Sequence, residues 1–424
     1  MSFMDRHSLA ISLLSPVHIG CGEDFDPTGY VIVDGILCAF DLADAAAALD
    51  TQAKKALIEA SNAPGAAAVL KTQRIFYEKR DKLAALARLR IPVGDDTVQK
   101  QYNQRIGQVA QRESNGNNVV NRLEIARSSY DSLAARPFLP GSSIKGAIRT
   151  ALLSAVLDEK SPNNPFATFQ NKRQRIIATE TQRPRDAERE YKKLGVELQP
   201  KVFAYAQEAE GRQKIVLERD PLRLLRVADA HYQPKEGRFP SHIVWRVNRR
   251  NSGIEGKGMA TLIEALNASP DSRFQASAYR GELTVEQGTP LGQDKTPQRR
   301  FQLSDIIKAC NAFYLDKLKE EVAQLEGKAD PKWIAQIRAQ VFSSEYNGKA
   351  TMGHMINSGK GFLLRIGRHS GSASVTVDEL RRIYIRQHEK FSDAPFTRWL
   401  SAANRNQQDS CRPFGWVFVQ ATKL

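Results

Sequence analysis

Residues 137–153 (PFLPGSSIKGAIRTALL) carry the groups best suited to hold an anion, because two hydroxyls and two cations stand at the expected start of a helix. The prolines forbid a helix before them, Ser142 or Ser143 can cap one that starts there, and the following apolar residues recur at helical spacing. Lys145 and Arg149 are four residues apart and share one face. Since a helix N-terminus offers free N–H groups and a favourable dipole to anions, the segment predicts a phosphate-binding helix start. An ordinary capped helix with a solvated basic face is the alternative.

The same segment does not predict nucleotide hydrolysis. Gly141 and Gly146 have the spacing of a Walker phosphate loop, but Ala147 and Ile148 stand where that loop needs a lysine and a serine or threonine. Gly141 remains a candidate phosphate contact because glycine adopts backbone conformations that other residues cannot.

Two glycine-rich turns supply further candidate phosphate contacts. The first contains His18, Gly20 and Gly22 and follows a strand-like run at residues 9–14. It lacks the third glycine of a dinucleotide-binding fingerprint, because Phe25 stands there, so no NAD site is predicted. In the second, at residues 361–371, a strand enters a turn whose glycines allow close backbone approach and whose arginines offer forked donors to phosphate. A basic hairpin tip is the alternative for this turn, and its candidate residues are Arg365, Gly367, Arg368, His369 and Gly371.

Catalytic signals are weak in comparison. Glu23, Asp24 and Asp26 are adjacent, but they follow a glycine turn and no second acidic pair accompanies them, so the sequence predicts neither a metal site nor a cofactor. Metal-free RNA cleavage would need a positioned acid and base. The histidines at positions 18, 354 and 369 are the candidates for that chemistry.

Composition points to a polyanionic partner. The 424 residues include 62 Lys and Arg against 47 Asp and Glu, which gives a formal net charge of +15, and such an excess favours nucleic acid or an anionic surface. The four cysteines (Cys21, Cys38, Cys310 and Cys411) are scattered without CxxC pairs, which indicates neither a disulfide framework nor a zinc ribbon. Neither a signal peptide nor a membrane span is evident. We therefore expect a reduced, cytoplasmic setting.

Periodicity predicts an α+β protein. The sequence favours a hairpin around Asp34-Gly35 and helices at about 75–90, 259–266 and 306–325. It also favours a flexible excursion in the polar stretch 91–121, and loop or mobile helix rather than core in the basic stretch 161–193. Strand-like runs occupy residues 9–14, 31–33, 36–38, 214–218, 222–227, 242–247, 274–285, 361–366, 374–377 and 416–420.

Five segments, in this order, resemble a known family. They are LSPVHIGCGE (14–23), residues 138–153, LRVADA (225–230), the glycine cluster 361–371 and PFGWV (413–417). Together they are similar to RAMP proteins of type III-A CRISPR–Cas (Csm) effector complexes, most of all to the fifth Csm subunits, which cap the backbone of the complex. The landmarks run over nearly the whole chain.

The resemblance implies ferredoxin-like (RRM-like) modules with large helical and loop insertions. We expect an N-terminal module at residues 1–230, with helical insertions at about 41–130 and 161–210. A C-terminal module would follow at 231–424, with a helical insertion at about 300–345. The implied RNA contacts fall on His18, Gly20, Gly22, Gly141, Ser142, Ser143, Lys145, Arg149 and the five residues of the second glycine turn.

The implied function is that of a non-catalytic CRISPR RNA (crRNA)-binding subunit that caps the filament at the crRNA 3′ end and supports crRNA maturation and antiviral defence. Its partners would be the single-stranded 3′ region of the crRNA, the third and second (small) Csm subunits and host nucleases, with no membrane. One alternative is a metal-independent CRISPR RNA endonuclease of the RAMP type, using His18 or His369. The other is a backbone RAMP subunit of a type III-B complex.

Overall fold

The computed structural model describes residues 4–112, 118–120, 123–133, 135–159, 165–209, 212–234, 238–250, 260–286, 296–385 and 388–424. The helices are α1 (Leu42–Ala48), α2 (Thr51–Ser61), α3 (Ala66–Glu78), α4 (Arg80–Ala85), α5 (Asp96–Arg105), α6 (Gly141–Leu157), α7 (Phe166–Ile177), α8 (Pro184–Val202), α9 (Leu303–Leu325), α10 (Pro331–Ile337) and α11 (Met352–Asn357).

The strands are β1 (Met4–Leu13), β2 (Gly20–Phe25), β3 (Tyr30–Val33), β4 (Ile36–Ala39), β5 (Leu89–Pro92), β6 (Val109–Arg112), β7 (Asn118–Val120), β8 (Ile125–Ser128), β9 (Tyr130–Asp131), β10 (Arg136–Leu139), β11 (Ala206–Ala209), β12 (Arg212–Ile215), β13 (Leu225–Val227), β14 (Ala230–Tyr232), β15 (Ser241–Arg250), β16 (Ala260–Leu266), β17 (Gln275–Glu286), β18 (Glu345–Tyr346), β19 (Lys349–Ala350), β20 (Gly361–Arg365), β21 (Ile383–Ile385), β22 (Lys390–Ser392), β23 (Thr397–Ala402), β24 (Cys411–Pro413) and β25 (Trp416–Lys423). The predicted α+β class is confirmed.

The larger sheet is built around the first strand of the chain. Its described strands run in the order β20-β25-β1-β17-β14-β10-β9, and β13 also pairs with β17. Leu9, Ile11 and Leu13 of β1 are fully buried, and this apolar character lets β1 lie between the antiparallel strands β17 and β25. The N- and C-terminal parts of the chain therefore share one sheet.

The second sheet has the order β2-β8-β16-β15-β23-β24. Its strands pair antiparallel except β16 with β8, which run parallel. Both large sheets contain strands from either side of residue 230, and the division into modules at that position stays a prediction.

Helices α6 and α9 pack against each other beside β20 and cover the larger sheet. In α6, Ile144, Ile148 and Leu152 are buried, because residues three to four apart form one apolar stripe. The Tyr314 hydroxyl of α9 donates to the carbonyl of Ala147 at 3.0 Å, which fixes the two helices in register.

Helices occupy much of the three stretches in which insertions were expected, and their status as insertions stays a prediction. Helices α1–α5 lie between residues 42 and 105, and α7 and α8 between 166 and 202. The stretch 91–121, expected as a flexible excursion, contains α5, whose Val98 and Tyr102 are buried; its residues 113–117 and 121 lie outside the described residues. The prediction of loop or mobile helix rather than core for 161–193 is wrong over α7 and α8: Phe169 and Ala187 are buried on their inner faces, while charged side chains cover the outer faces. High charge density concealed two amphipathic helices. Helices α9 and α10 occupy the third expected insertion.

Two local expectations are also wrong. The run expected as a helix at 259–266 is strand β16, because its residues pair with β15 along its whole length. The run expected as a strand at 374–377 follows a single 3-10 turn, Ser372–Ser374. Within the described residues, no helix combines the length and apolar character that crossing a bilayer requires.

Candidate nucleic-acid interface

Three segments that are far apart in sequence line one cavity of about 570 Å³. They are the first glycine turn after β1, the start of α6, and the second glycine turn after β20. We call this cavity the groove. Its lining residues are Ile19, Gly20, Gly22, Ser143, Gly146, Ala147, Thr150, Arg365, Ile366, Gly367, Arg368, Ser370, Ser374 and Val375.

Helix α6 begins two or three residues before the expected serine cap. Pro140 is its N-cap residue, and the amide of Gly141 donates to the carboxylate of Asp229 at 2.7 Å. A Cβ at Gly141 would collide with the carbonyl of Val227, so only glycine fits this close approach. The serine-cap prediction is therefore wrong, and the Gly141 amide is occupied by a protein carboxylate.

The serines lie in the first turn of α6. Ser142 is exposed and Ser143 is half-buried. Ser143, Gly146 and Thr150 follow each other at intervals of three and four, so they form the face of α6 that lines the groove. Gly146 adds room, because a Cβ there would meet nothing within 4 Å.

Lys145 and Arg149 lie on the neighbouring face of α6 and do not line the groove. The Arg149 guanidinium pairs with Asp220 at 2.7 Å. Lys145 is half-buried and has no acidic partner among the described residues. Burial lowers the pKa of its ammonium, and the nearby Arg149 lowers this pKa further. An unpaired cation of this kind is stabilised when an anion approaches.

The two glycine turns are fastened to each other. The amide of Arg368 donates to the carbonyl of His18 at 2.8 Å. Gly367 has a φ of +83°, and a Cβ there would lie 2.6 Å from the same carbonyl oxygen. A glycine is needed here for both the backbone conformation and the close approach, and its absence of a side chain keeps the groove open.

The two arginines of the second glycine turn have opposite surroundings. Arg365 is only 6% exposed, donates to the Phe414 carbonyl at 2.9 Å, and pairs with the buried Glu321 at 3.1 Å. Its guanidinium also lies over the Trp416 ring. Arg368 is exposed and its side chain has no acidic partner within the described ranges. Of the two, Arg368 is the cation that an incoming anion can reach.

The two candidate histidines are largely enclosed. His18 is 1% exposed, its Nδ1 lies 2.8 Å from the Glu264 carbonyl, and burial lowers its pKa. His369 stacks on His18 with 6.2 Å between ring centroids. Its pKa is lowered to about 3, chiefly by burial and then by Arg246. Both rings are therefore neutral near pH 7, which removes the general acid that a histidine pair would supply.

Gly371 of the second glycine turn is exposed, but it does not line the groove. The structure brings Gly20, Gly22, Ser143, Arg365, Gly367 and Arg368 of the expected set together at the groove. Sequence reasoning missed Gly146 and Thr150, although their helical spacing from Ser143 could have revealed them. Ser374 and Val375 carry no comparable signal. Among the described residues, no group of three or more histidine, cysteine or acidic side chains could hold a metal.

Comparisons with known proteins identify the family and the fold. The chain matches the family model of the RAMP superfamily over residues 10–326. It is similar to a chain in the cryo-EM structure of a type III-A Csm–crRNA–target RNA ternary complex, with a TM-score of 0.57 and 18% identity over 98% of this chain and 100% of that one. It is also similar to the crystal structure of Csm5 from T. onnurineus, with a TM-score of 0.53 and 17% identity over 97% and 99% of the two chains. No curated protein matches it.

Proposed function

Since the chain belongs to the RAMP superfamily, we propose that it is a non-catalytic crRNA-binding subunit of a type III-A Csm interference complex. Its groove would hold the 3′ region of the crRNA, so that the subunit caps the backbone filament and supports crRNA maturation and antiviral defence. The family assignment and the RAMP-type α+β fold expected from the sequence are confirmed.

One arrangement supports this function most directly. Three glycine-containing segments, each more than a hundred residues from the next, enclose a single groove. Four of the residues that line it are glycines, and small residues let a sugar–phosphate backbone come close to the protein backbone. Ser143 and Thr150 add hydroxyls, and Arg368 adds an unpaired guanidinium at the rim. These groups suit phosphate and ribose.

Such a groove would hold RNA mainly without reading its sequence, because phosphate contacts position a strand while base contacts specify it. If the groove and its basic rim neutralise about six phosphates, the logarithm of the affinity falls with the logarithm of salt concentration with a slope of roughly −4. Guide RNAs with many different sequences require this kind of binding.

The proposed absence of catalysis is supported by the state of the histidines. His18 is buried and hydrogen-bonded, and His369 has a pKa lowered to about 3. Burial favours the neutral form of both rings, so neither of the two histidines named for the endonuclease alternative is well suited to act as its general acid.

The place in the complex is supported by the extent of the likeness. A chain in a Csm–crRNA–target RNA complex matches over its full length and over 98% of this chain. We propose, as the family resemblance implies, that the chain lies beside the third Csm subunit in the cytoplasm, with the second Csm subunit and host nucleases as further partners. Both solved structures named above are of Csm proteins, which favours the type III-A assignment over the type III-B alternative.

The groove is tested most sharply at Gly146, because a side chain there would enter open space. Gly146→Glu places a carboxylate in the groove, Gly146→Gln adds the same bulk without charge, and Gly146→Ala is the control. Alanine should raise helix stability by up to about 1 kcal/mol and leave RNA binding intact. We expect Glu to weaken binding of a crRNA 3′ fragment by tenfold or more, and Gln by less.

Each variant is measured by fluorescence anisotropy with labelled RNA at several salt concentrations, after circular dichroism has shown that it folds. The same proteins are incubated with repeat RNA in EDTA. Equal affinities for the Ala and Glu variants would remove the groove as the RNA site. Specific cleavage of the repeat RNA would overturn the non-catalytic assignment.

A further inference from the structure

A row of unsatisfied polar groups crosses the second sheet next to the groove. Arg246 of β15 is directly opposite Thr261 of β16 on one side and Ser401 of β23 on the other. Directly paired residues point to the same face of a sheet. The Arg246 Nε, Thr261 Oγ1 and Ser401 Oγ atoms are all buried without a hydrogen-bond partner among the described residues. Ser401 is only 1% exposed.

Unsatisfied buried polar atoms are rare because each costs about 1–3 kcal/mol. Three in a single cross-strand row therefore mark a strongly polar strip across this face of the sheet. Asn248, two residues further along β15 on the same face, has a fourth such atom at Oδ1. A polar ligand with both donors and acceptors fits this row.

The row also carries positive charge without compensation. Arg246 has no acidic partner in the part of the chain that the structure describes, and it lies 4.7 Å from the centre of the Trp399 ring. Its Nη1 is 3.3 Å from Nε2 of His369, the residue next to Arg368 at the groove. The row is therefore continuous with the groove.

The charge continues away from the groove along β15. Arg250 lies four residues beyond Arg246 on the same face, about 13 Å away at the usual rise of a strand. It is exposed, and it lines a cavity of about 200 Å³ together with Lys328 and Arg398. Arg250 and Lys328 have no acidic partner among the described residues. The line from Arg368 to Lys328 forms a basic track, which we call the sheet track.

We propose that the sheet track binds the single-stranded RNA that leaves the groove, with Arg246 and Arg250 on phosphates and Trp399 stacking on a base. This inference rests on the proposed function of the groove and extends it. RNA fits because phosphate supplies the acceptors that two arginines need.

The chain contains its own probe for this site. Of its four tryptophans, Trp245, Trp333 and Trp416 are at most 1% exposed, whereas Trp399 is partly exposed. A base that stacks on Trp399 should quench its fluorescence. Oligouridines of about 4 to 16 nucleotides, the usual range of single-strand site sizes, are titrated against the wild type and against Trp399→Phe.

We expect the shortest oligonucleotides to bind in the groove without quenching and the longer ones to bind more tightly with quenching. The double variant Arg246→Gln/Arg250→Gln should keep the affinity for short RNA and lose about tenfold to a hundredfold for long RNA. For long RNA, the slope of log affinity against log salt concentration should be smaller in magnitude by about 1.4, because two phosphate contacts are lost at about 0.7 each. The exposed pair Lys54→Gln/Lys55→Gln on α2 is the control for loss of charge.

The outcomes separate this inference from the function of the groove. Two results would refute the sheet track and leave the groove in place, provided that short RNA binds. In the first, long RNA binds the wild type no more tightly than short RNA. In the second, long RNA keeps its higher affinity in the Arg246→Gln/Arg250→Gln variant. If the wild type binds no RNA of any length, the function of the groove fails first. Quenching that persists in Trp399→Phe would also refute the stacking site.

Discussion

Two arginines three residues apart, Arg365 and Arg368, should respond to substitution in opposite ways. The substitutions are Arg365→Met, which keeps the length of the side chain without its charge, and Arg368→Gln. The first arginine is 6% exposed and bound to Glu321, the Phe414 carbonyl and the face of Trp416. The second is exposed and has no acidic partner among the described residues. The first change therefore tests stability and the second tests binding.

The loss of stability expected for Arg365→Met follows from the hydrogen-bond and ion-pair partners that Glu321 keeps. Glu321 is 5% exposed and would lose its closest cation, keeping the Trp416 indole N–H at 2.6 Å and the more distant Arg398 at 3.5 Å. Removing one partner of a buried ion pair costs about 3–5 kcal/mol. Because these two partners remain, we expect about 3 kcal/mol less stability, at the low end of that range.

For Arg368→Gln, the loss of one charged contact with a phosphate should weaken RNA binding by about tenfold to a hundredfold. The salt slope should shrink by about 0.7, and stability should stay within about 0.5 kcal/mol of the wild type, as for most surface changes.

Urea denaturation followed by circular dichroism gives the stabilities, and anisotropy with labelled single-stranded RNA gives the affinities. Binding is measured at urea-free conditions where Arg365→Met is at least nine-tenths folded. A stable Arg365→Met protein with strongly reduced RNA affinity would refute the structural role assigned to this arginine. An Arg368→Gln protein that unfolds early, yet binds RNA as the wild type does when folded, would refute the reasoning for the other.

Two further predictions concern the turn and the effect of pH. Gly367→Ala should destabilise the protein by more than about 2 kcal/mol, since a left-handed residue with a Cβ costs about 1–2 kcal/mol and the new methyl would lie 2.6 Å from the His18 carbonyl. Gly359→Ala is its control in thermal unfolding, because its φ is +67° but a Cβ there would meet nothing within 4 Å, and equal losses in both would contradict the steric argument. Burial, reinforced by a nearby arginine, lowers the pKa of His242 to about 4 and that of His369 to about 3. Below pH 6.5 the unfolded chain therefore takes up protons that the folded chain does not. The stability that these histidines contribute is complete above that pH and is lost as the pH falls toward 4. For His242 this loss of unfolding free energy is about 3 kcal/mol. In urea denaturation, His242→Gln should therefore lose less stability between pH 7 and 4 than the wild type does, by about that amount. Equal losses in the two proteins would show that this histidine is not desolvated.

Much of the fold could be predicted from local patterns. Alternating apolar residues identified β1, β15, β17 and β25, and a helical stripe identified α9, because burial on one face leaves a periodic trace in the sequence. The pattern was misleading at 259–266, where a short apolar run fits a helix or a strand equally well. Pairing with β15, a tertiary interaction, decided that it is a strand.

The candidate site was predicted as three separate segments, and their meeting at one groove could not be derived from spacing. Helix α6 was recognised, but its cap was assigned to a serine. The group that caps its first amide is Asp229, 88 residues away. A capping partner at such a distance leaves no local signal.

By itself, the sequence determined which chemistry is present: basic side chains, hydroxyls and glycines in three segments, with an excess of positive charge. Only the tertiary structure decided which of these groups are available. Arg149 is held by Asp220 and Arg365 by Glu321, across separations of 71 and 44 residues, whereas Lys145 and Arg368 have no acidic partner among the described residues. The reason is that a charge is neutralised by whatever the fold brings within a few ångströms, and chain folding brings together residues that the sequence keeps apart.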